Sequence, residues 1–238
     1  MTSGPRPTLA VIGGTGALGR GLAVRWAAAG YSTIIGSRSA QHAEAAAREV
    51  RIAAGADAVS GSANAQAARA ADILVLTVPY AHRDAILAEI RDAARGKIVV
   101  DTTVPIVPPK ASVVQMPAAG SAAQAAQQAL GSDVRVVSAF HTVAARKLQA
   151  AGPIDGDVLV CGDDPAAREA VIILVQTAGM RGLHAGPLGN SVAAEALASV
   201  LIGINRRYKV EGAGLRITGD LVGTEVAGAG PASWTPLS

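Results

Sequence analysis

The sequence predicts an α/β fold, a doubly wound parallel Rossmann sheet with a small C-terminal helical extension. Three observations carry that prediction. Short apolar runs rich in β-branched residues alternate with alanine-rich stretches of helical length, the pattern of repeated βαβ units. The first run leads straight into a glycine-rich turn and then an amphipathic helix. Of the 238 residues, 50% are hydrophobic and only 16% are charged, enough apolar material for one large buried core and too little charge for a disordered chain.

Strands are expected at residues 8–12, 32–36, 58–61, 73–78, 98–101 and 134–139, with two more at 158–162 and 182–185. The expected strand order is 3-2-1-4-5-6, extended by the later elements. Residues 17–29 form the first helix, because Leu18, Leu22 and Trp26 recur every fourth residue and make one apolar stripe. A second helix covers 41–53, with Arg48 and Arg51 expected in solvent. Residues 104–117 hold Pro105, Pro108, Pro109 and Pro117 and therefore read as a loop. A loop beyond the carboxyl end of a strand is well placed to line a site. The chain divides into a dinucleotide-binding unit at 8–186, a helical extension at 187–220, and a Gly, Ala and Pro-rich tail at 221–238 expected to be flexible.

Charge and cysteine usage narrow the partners. The 21 basic and 18 acidic residues leave a net charge of +3, and the basic residues are dispersed. With 3% aromatics there is little to stack on bases, so nucleic acid is not the expected partner and a small anionic ligand is. The single Cys161 excludes a disulfide framework and the usual multi-cysteine zinc site, and no metal is expected. No uninterrupted apolar run approaches the ~18 residues of a membrane span, so the expectation is a soluble cytoplasmic protein without a membrane partner.

The turn itself reads Val11-Ile12-Gly13-Gly14-Thr15-Gly16-Ala17-Leu18-Gly19. In G-x-G-x-x-G, Gly14 permits the tight turn, Gly16 lets the backbone approach a pyrophosphate, and Gly19 lets the helix pack on the strand. The phosphates would sit at the helix N-terminus, where free N–H groups and the dipole favour negative charge, with Thr15, Ala17 and Leu18 completing the cradle. The second strand selects the dinucleotide. It ends Ile34-Ile35-Gly36-Ser37-Arg38, without the acid that would bond a ribose diol. A carboxylate would repel a 2′-phosphate, whereas Ser37 and Arg38 can donate to one, and His42 lies one turn into the next helix. The cofactor expected is NADP.

These residues, with Leu76-Thr77-Val78-Pro79-Tyr80-Ala81-His82, Ser138-Ala139-Phe140-His141-Thr142 and Asn205-Arg206-Arg207-Tyr208-Lys209, resemble the NADPH-dependent F420 reductase family. The similarity runs from about Thr8 to Gly219. It implies hydride exchange between NADPH and the deazaflavin ring of coenzyme F420, in a homodimer whose C-terminal helix lines the substrate pocket and makes the dimer contact. The NADP contacts it implies are Thr15, Ser37, Arg38, Val78, His82, Val104 and one of Ala144 or Ala145, with Pro79 beside them. His141 would stand on the substrate side and is the candidate catalytic residue. The chain departs from some members at Val192, Ala196 and Ala198, where they carry arginine, serine and threonine near the deazaflavin. That apolar face would also suit an NADP-dependent reductase of an imine or carbonyl, and a non-catalytic NADP sensor could share the fold. Asp101, beside Thr102 and Thr103, either orients a ligand or bonds nearby turn N–H groups. Arg206, Arg207, Lys209 and Arg216 either form a solvated helix end or attract the acidic tail of the deazaflavin. Cys161 reads as inert core.

Overall fold

The computed structural model describes residues 6–221. Eight strands form one sheet in the order β3-β2-β1-β4-β5-β6-β7-β8. They are β1 (Leu9–Ile12), β2 (Thr33–Ser37), β3 (Val59–Ala63), β4 (Ile73–Leu76), β5 (Ile98–Asp101), β6 (Arg135–Ser138), β7 (Asp157–Gly162) and β8 (Arg181–His184). The expected order 3-2-1-4-5-6 is observed, and each expected strand lies within two residues of an observed one. Pairing is parallel except between β6 and β7, where Ser138 faces Cys161 in an antiparallel register. The central strands β1, β4 and β5 are buried at every residue, and their unbroken apolar runs follow from both faces being covered.

Seven helices are α1 (Ala17–Ala28), α2 (Ala40–Ala54), α3 (Asn64–Ala70), α4 (Arg83–Ala94), α5 (Ala122–Leu130), α6 (Pro165–Thr177) and α7 (Ser191–Tyr208). Alternate strand residues feed the two faces. Leu9 and Val11 join Leu22, Trp26, Ile35 and Val175 in one core, while Ala10 and Ile12 join Leu74, Leu76, Leu87 and Ile90 in the other. Within α1, Leu22 and Trp26 are fully buried and Leu18 is partly so. Trp26 satisfies its indole N–H on the Leu174 carbonyl at 2.9 Å.

One surface expectation changes. Arg48 is exposed, but Arg51 turns back, donating to the Val59 carbonyl at 2.5 Å and to Glu44 Oε1 at 2.7 Å. Its guanidinium therefore joins α2 to β3, a use that helical periodicity does not reveal. Residues 102–121 contain no helix or strand, as the prolines require. Most of the expected tail, 222–238, lies outside the described residues.

The segment Leu188–Tyr208, α7 with its preceding 3-10 turn, is 21 residues long with a mean hydropathy of 1.3 over its most apolar 18-residue window, and by length and composition alone it could cross a membrane. Here its inner face instead packs toward the sheet, burying Ala194, Glu195, Ala198 and Ser199. The remaining chain returns past β7, where Leu215 O accepts from Asp157 N and Ile217 N donates to Asp157 Oδ2.

Candidate functional site

The carboxyl ends of β1, β2, β4, β5 and β6 lie side by side, and the sequence-predicted residues gather there. At the end of β1, the left-handed residue of the turn is Gly13, with φ of +73°. The tight turn thus falls one position before the expected Gly14. Gly14 is required for a different reason: a Cβ there would stand 2.7 Å from the Val11 carbonyl oxygen. Gly19 is a close-packing glycine as expected, because a Cβ would meet Thr77 Oγ1 at 2.6 Å and Gly14 Cα at 2.8 Å. Gly16 differs from all three. It has an ordinary φ of −76°, and a Cβ on it would find no protein atom nearer than 3.9 Å. Among the described residues nothing crowds that point, so the space above Gly16 is open.

Gly16 caps α1 without a side-chain bond, and the first turn of α1 carries no acidic residue. Its free N–H groups and positive dipole end therefore face the cleft uncompensated, which suits a pyrophosphate. Beside it at the end of β2, the Ser37 hydroxyl accepts a long 3.4 Å bond from Ser39 N. Arg38 is exposed and has no partner among the described residues. His42 is exposed on the first turn of α2, its ring likewise free there. Val78 is half-buried at the end of β4 and supports the turn: a Cβ at Gly13 would strike Val78 Cγ1 at 2.3 Å. Pro79 and His82 are exposed on the following turn, and Thr15 and Val104 are half-buried. Ala144 and Ala145 are half-buried after β6, and Ala144 lies beneath Gly212 of the returning chain.

The ends of β5 and β6 hold a different chemistry. Asp101 pairs in register with Ser138, and both are fully buried. Asp101 Oδ1 accepts from Thr103 N at 2.8 Å, the structural bond expected of it. Yet Asp101 Oδ2, Thr103 Oγ1, Ser138 Oγ and both ring nitrogens of His141 are buried without a hydrogen bond of good geometry, although Thr103 lies near the Asp101 carboxyl, the Asp101 backbone near His141 and Cys161 near Ser138. Orphaned polar atoms are rare in native interiors, and a cluster of them at strand ends marks a place built to receive polar groups. Phe140 presents His141 to this cluster by a left-handed backbone, φ +67°, an unusual conformation for a bulky residue. Edge-on packing against Trp26, with ring centroids 6.0 Å apart, holds it there. Burial pushes the His141 imidazole down to about 4, so it is neutral at physiological pH. Burial likewise pushes the Asp101 carboxyl upward.

Comparison with known proteins shows the family. The profile of the family described as NADP oxidoreductase coenzyme F420-dependent matches residues 8–105. The F420-dependent NADP reductase of Methanothermobacter thermautotrophicus is 41% identical over 222 residues, spanning 88% of this chain and 94% of that protein. The chain belongs to the F420-dependent NADP reductase family. The reductase of Methanocaldococcus jannaschii is 38% identical over 219 residues, 88% of this chain and 97% of its own. A crystal structure assigned to an F420-dependent NADP-reductase of Arthrobacter sp. FB24 superposes with a TM-score of 0.75 at 25% identity, covering 90% of this chain and 100% of that one.

In this reductase, sequence reasoning missed two buried ionisable residues that lie beside that cluster. Arg83 is 5% exposed and donates to the Ala122 carbonyl at 3.0 Å, with its ring-facing side 4.8 Å from the Tyr80 ring centroid. Glu195, 1% exposed, accepts from Ala122 N at 2.6 Å and Ala123 N at 3.0 Å. The only sequence signal for Glu195 was an acid in the middle of an otherwise apolar helix. The three departures on α7 also separate in space. Val192 is 38% exposed and Ala196 half-buried on the same outer stripe, whereas Ala198 points inward at 7%. Among the basic residues near the C-terminus, Arg216 pairs with Asp155 and Arg206 and Arg207 stay exposed.

The His141 environment carries a pH consequence. The unfolded chain's histidine takes a proton near 6.5 while the native one resists until about 4. Stability from keeping it neutral is therefore present above pH 6.5 and is lost as pH falls toward 4, by about 2 kcal/mol at pH 5. Glu195, pushed by burial up to about 7, works the other way, its contribution being lost as pH rises through 7. The two must be separated by difference. Relative to a His141→Asn variant, the wild-type chain should lose roughly 2 kcal/mol of denaturation free energy between pH 7.5 and pH 5. An equal pH dependence in both chains would mean that His141 titrates normally.

Proposed function

We propose that the chain transfers hydride between NADP(H) and the deazaflavin ring of coenzyme F420. The observation that carries the dinucleotide half is the pair Ser37 and Arg38 at the end of β2, with Arg38 unpaired among the described residues and no acid next to it in sequence. Family membership carries the deazaflavin half, since the relatives at 41% and 38% identity are F420-dependent NADP reductases. When both are bound, NADPH supplies the hydride and C5 of the deazaflavin accepts it.

The protein's own residues bind, orient and exclude water. Gly14, Thr15, Gly16, Ala17 and Leu18 cradle the pyrophosphate at the N-terminus of α1, and Ser37, Arg38 and His42 hold the 2′-phosphate. Val78, Pro79, His82, Val104 and Ala144 or Ala145 follow the cofactor along the strand ends toward β5 and β6. His141, held neutral, offers one N–H and one lone pair to the carbonyl and N–H edges of the rings. It acts as an orienting donor and acceptor, and hydride transfer requires no protein base.

The direct test mixes purified protein with NADPH and oxidised F420 and follows loss of the deazaflavin absorbance. Reduction supports the reading. NADPH binding without reduction would hand the chain to the imine, carbonyl or sensor alternatives. The cofactor half is tested separately: Arg38→Ala should weaken NADPH binding roughly 10- to 100-fold, the worth of one charge-assisted bond, and leave NADH binding nearly unchanged. Equal losses for both cofactors would remove the 2′-phosphate role.

The unit at 187–220 serves as pocket wall and as the contact of a homodimer acting in the cytoplasm. Support for the dimer is the outer stripe of α7, where Val192, Val200, Ile204 and Tyr208 are 38%, 44%, 37% and 71% exposed along one face. Sedimentation of the full chain as a monomer at micromolar concentration would oppose it.

A further inference from the structure

The function above gives α7 a role as pocket wall, and the structure contains a device that sets where that wall stands. The inner face of α7 meets the first turn of α5 through two side chains one helical turn apart. Glu195 accepts the N–H groups of Ala122 and Ala123 with separate carboxylate oxygens, at 2.6 and 3.0 Å. Ser191 donates its hydroxyl to Ser121 Oγ at 2.7 Å, and Ser121 in turn accepts from Gln124 N as the cap of α5. Ser121, Ser191 and Glu195 are at most 1% exposed. α5 supplies the dipole end and the orphan N–H groups that a carboxylate fits.

This contact stands at the carboxyl ends of the strands, where the orphaned polar atoms lie. The charged or titratable groups facing Glu195 are Arg83 on α4, Asp101 at the end of β5 and Cys161 at the end of β7. Arg83 also holds the Ala122 carbonyl, so both sides of one peptide segment of α5 are gripped by polar side chains from different elements. A buried acid is a costly way to join two helices when an apolar pair would serve. Its two directional bonds do what apolar packing does less well: they fix the rotation and height of α7 relative to the sheet.

We propose that Glu195, with Ser191, is a positioning residue that clasps α7 to the first turn of α5 and so fixes the pocket wall against the deazaflavin. This rests on the deazaflavin reading. The clasp bonds only to Ser121, Ala122 and Ala123 and to no residue of the glycine turn, so its loss should act on one substrate only. In the full chain, Glu195→Ala should raise KM for oxidised F420 roughly tenfold, while Kd for NADPH and kcat change less than about threefold. Glu195→Gln, which keeps one acceptor and turns an N–H toward the other donor, should fall between. Hydrogen exchange at Ala122 and Ala123 should quicken in the same order.

Ser191→Ala removes a single hydroxyl and serves if Glu195→Ala fails to fold; the same KM and exchange changes should appear at smaller size. An unchanged KM for F420 beside faster exchange would overturn the proposal and leave Glu195 a purely structural residue. A raised KM with unaltered exchange at both amides would also overturn it, since the effect would not pass through the clasp. A wild-type chain that binds NADPH and leaves F420 unreduced would overturn the functional reading and this inference with it, an outcome distinct from an active wild type with indifferent variants.

Discussion

Replacing Gly16 with valine is expected to weaken NADPH binding by ~100-fold or more while leaving the fold intact. Both halves follow from the same geometry. With φ of −76° and no protein atom within 3.9 Å of the added Cβ, the backbone accepts a side chain without strain. The branched side chain would then occupy the space above the first turn of α1 where a pyrophosphate approaches the amides. Gly19→Val is the opposite control. Its Cβ would sit 2.6 Å from Thr77 Oγ1 and 2.8 Å from Gly14 Cα, so it should destabilise the chain whatever is bound. Titration of NADPH with circular dichroism on both variants checks the pair. Unchanged affinity in Gly16→Val would place the phosphates elsewhere.

The largest effect on stability is expected from Arg25→Met. Arg25 lies in the last turn of α1, and its guanidinium donates to five backbone carbonyls. The acceptors are Leu148 at 3.0 Å, Lys147 at 3.3 Å, Ala150 at 2.5 Å, Gly152 at 3.0 Å and Ala178 at 2.7 Å. Four of these belong to one irregular stretch, whose carbonyls have few partners of their own. Methionine keeps the aliphatic stem and removes every donor. Water can take up the exposed Ala150 and Gly152 carbonyls, but losing the donors to the three part-buried ones should cost roughly 3 kcal/mol, lowering the melting temperature by roughly 10 °C. The stretch begins just after His141 and includes the 3-10 turn Ala145–Gln149, so activity should fall at temperatures where the variant remains folded. A melting temperature within about 2 °C of wild type would show that the loop holds itself.

The sheet was legible because its determinants are local. Apolar runs, most of them β-branched, punctuated by glycine and alanine-rich helices fix strand positions, and the right-handed crossover rule for the parallel strands then leaves little freedom in their order. The glycine turn and the missing acid after Ile35-Gly36 were legible for the same reason, each a short motif whose chemistry lies within a few residues. Even there, the burden shifted by one position. Gly13 takes the left-handed conformation and Gly14 the close approach, a division that depends on where Val78 and the Val11 carbonyl sit.

Neighbouring residues were enough to read the Rossmann sheet and, through family resemblance, the reaction. Tertiary structure alone decided the buried polar cluster and what supports it. Arg25, Arg83 and Glu195 each read in sequence as charges on helices, where solvation is the ordinary outcome. Glu195 meets its partners 72 and 73 residues away, and Arg25 meets Ala178 across 153. A charge becomes a buried anchor only when folding brings unpaired backbone groups to it, because the cost of desolvating it is met by those bonds and by nothing local. Strand runs and turns are written in neighbouring residues, but the partners of a buried charge are chosen by the packing of the whole domain.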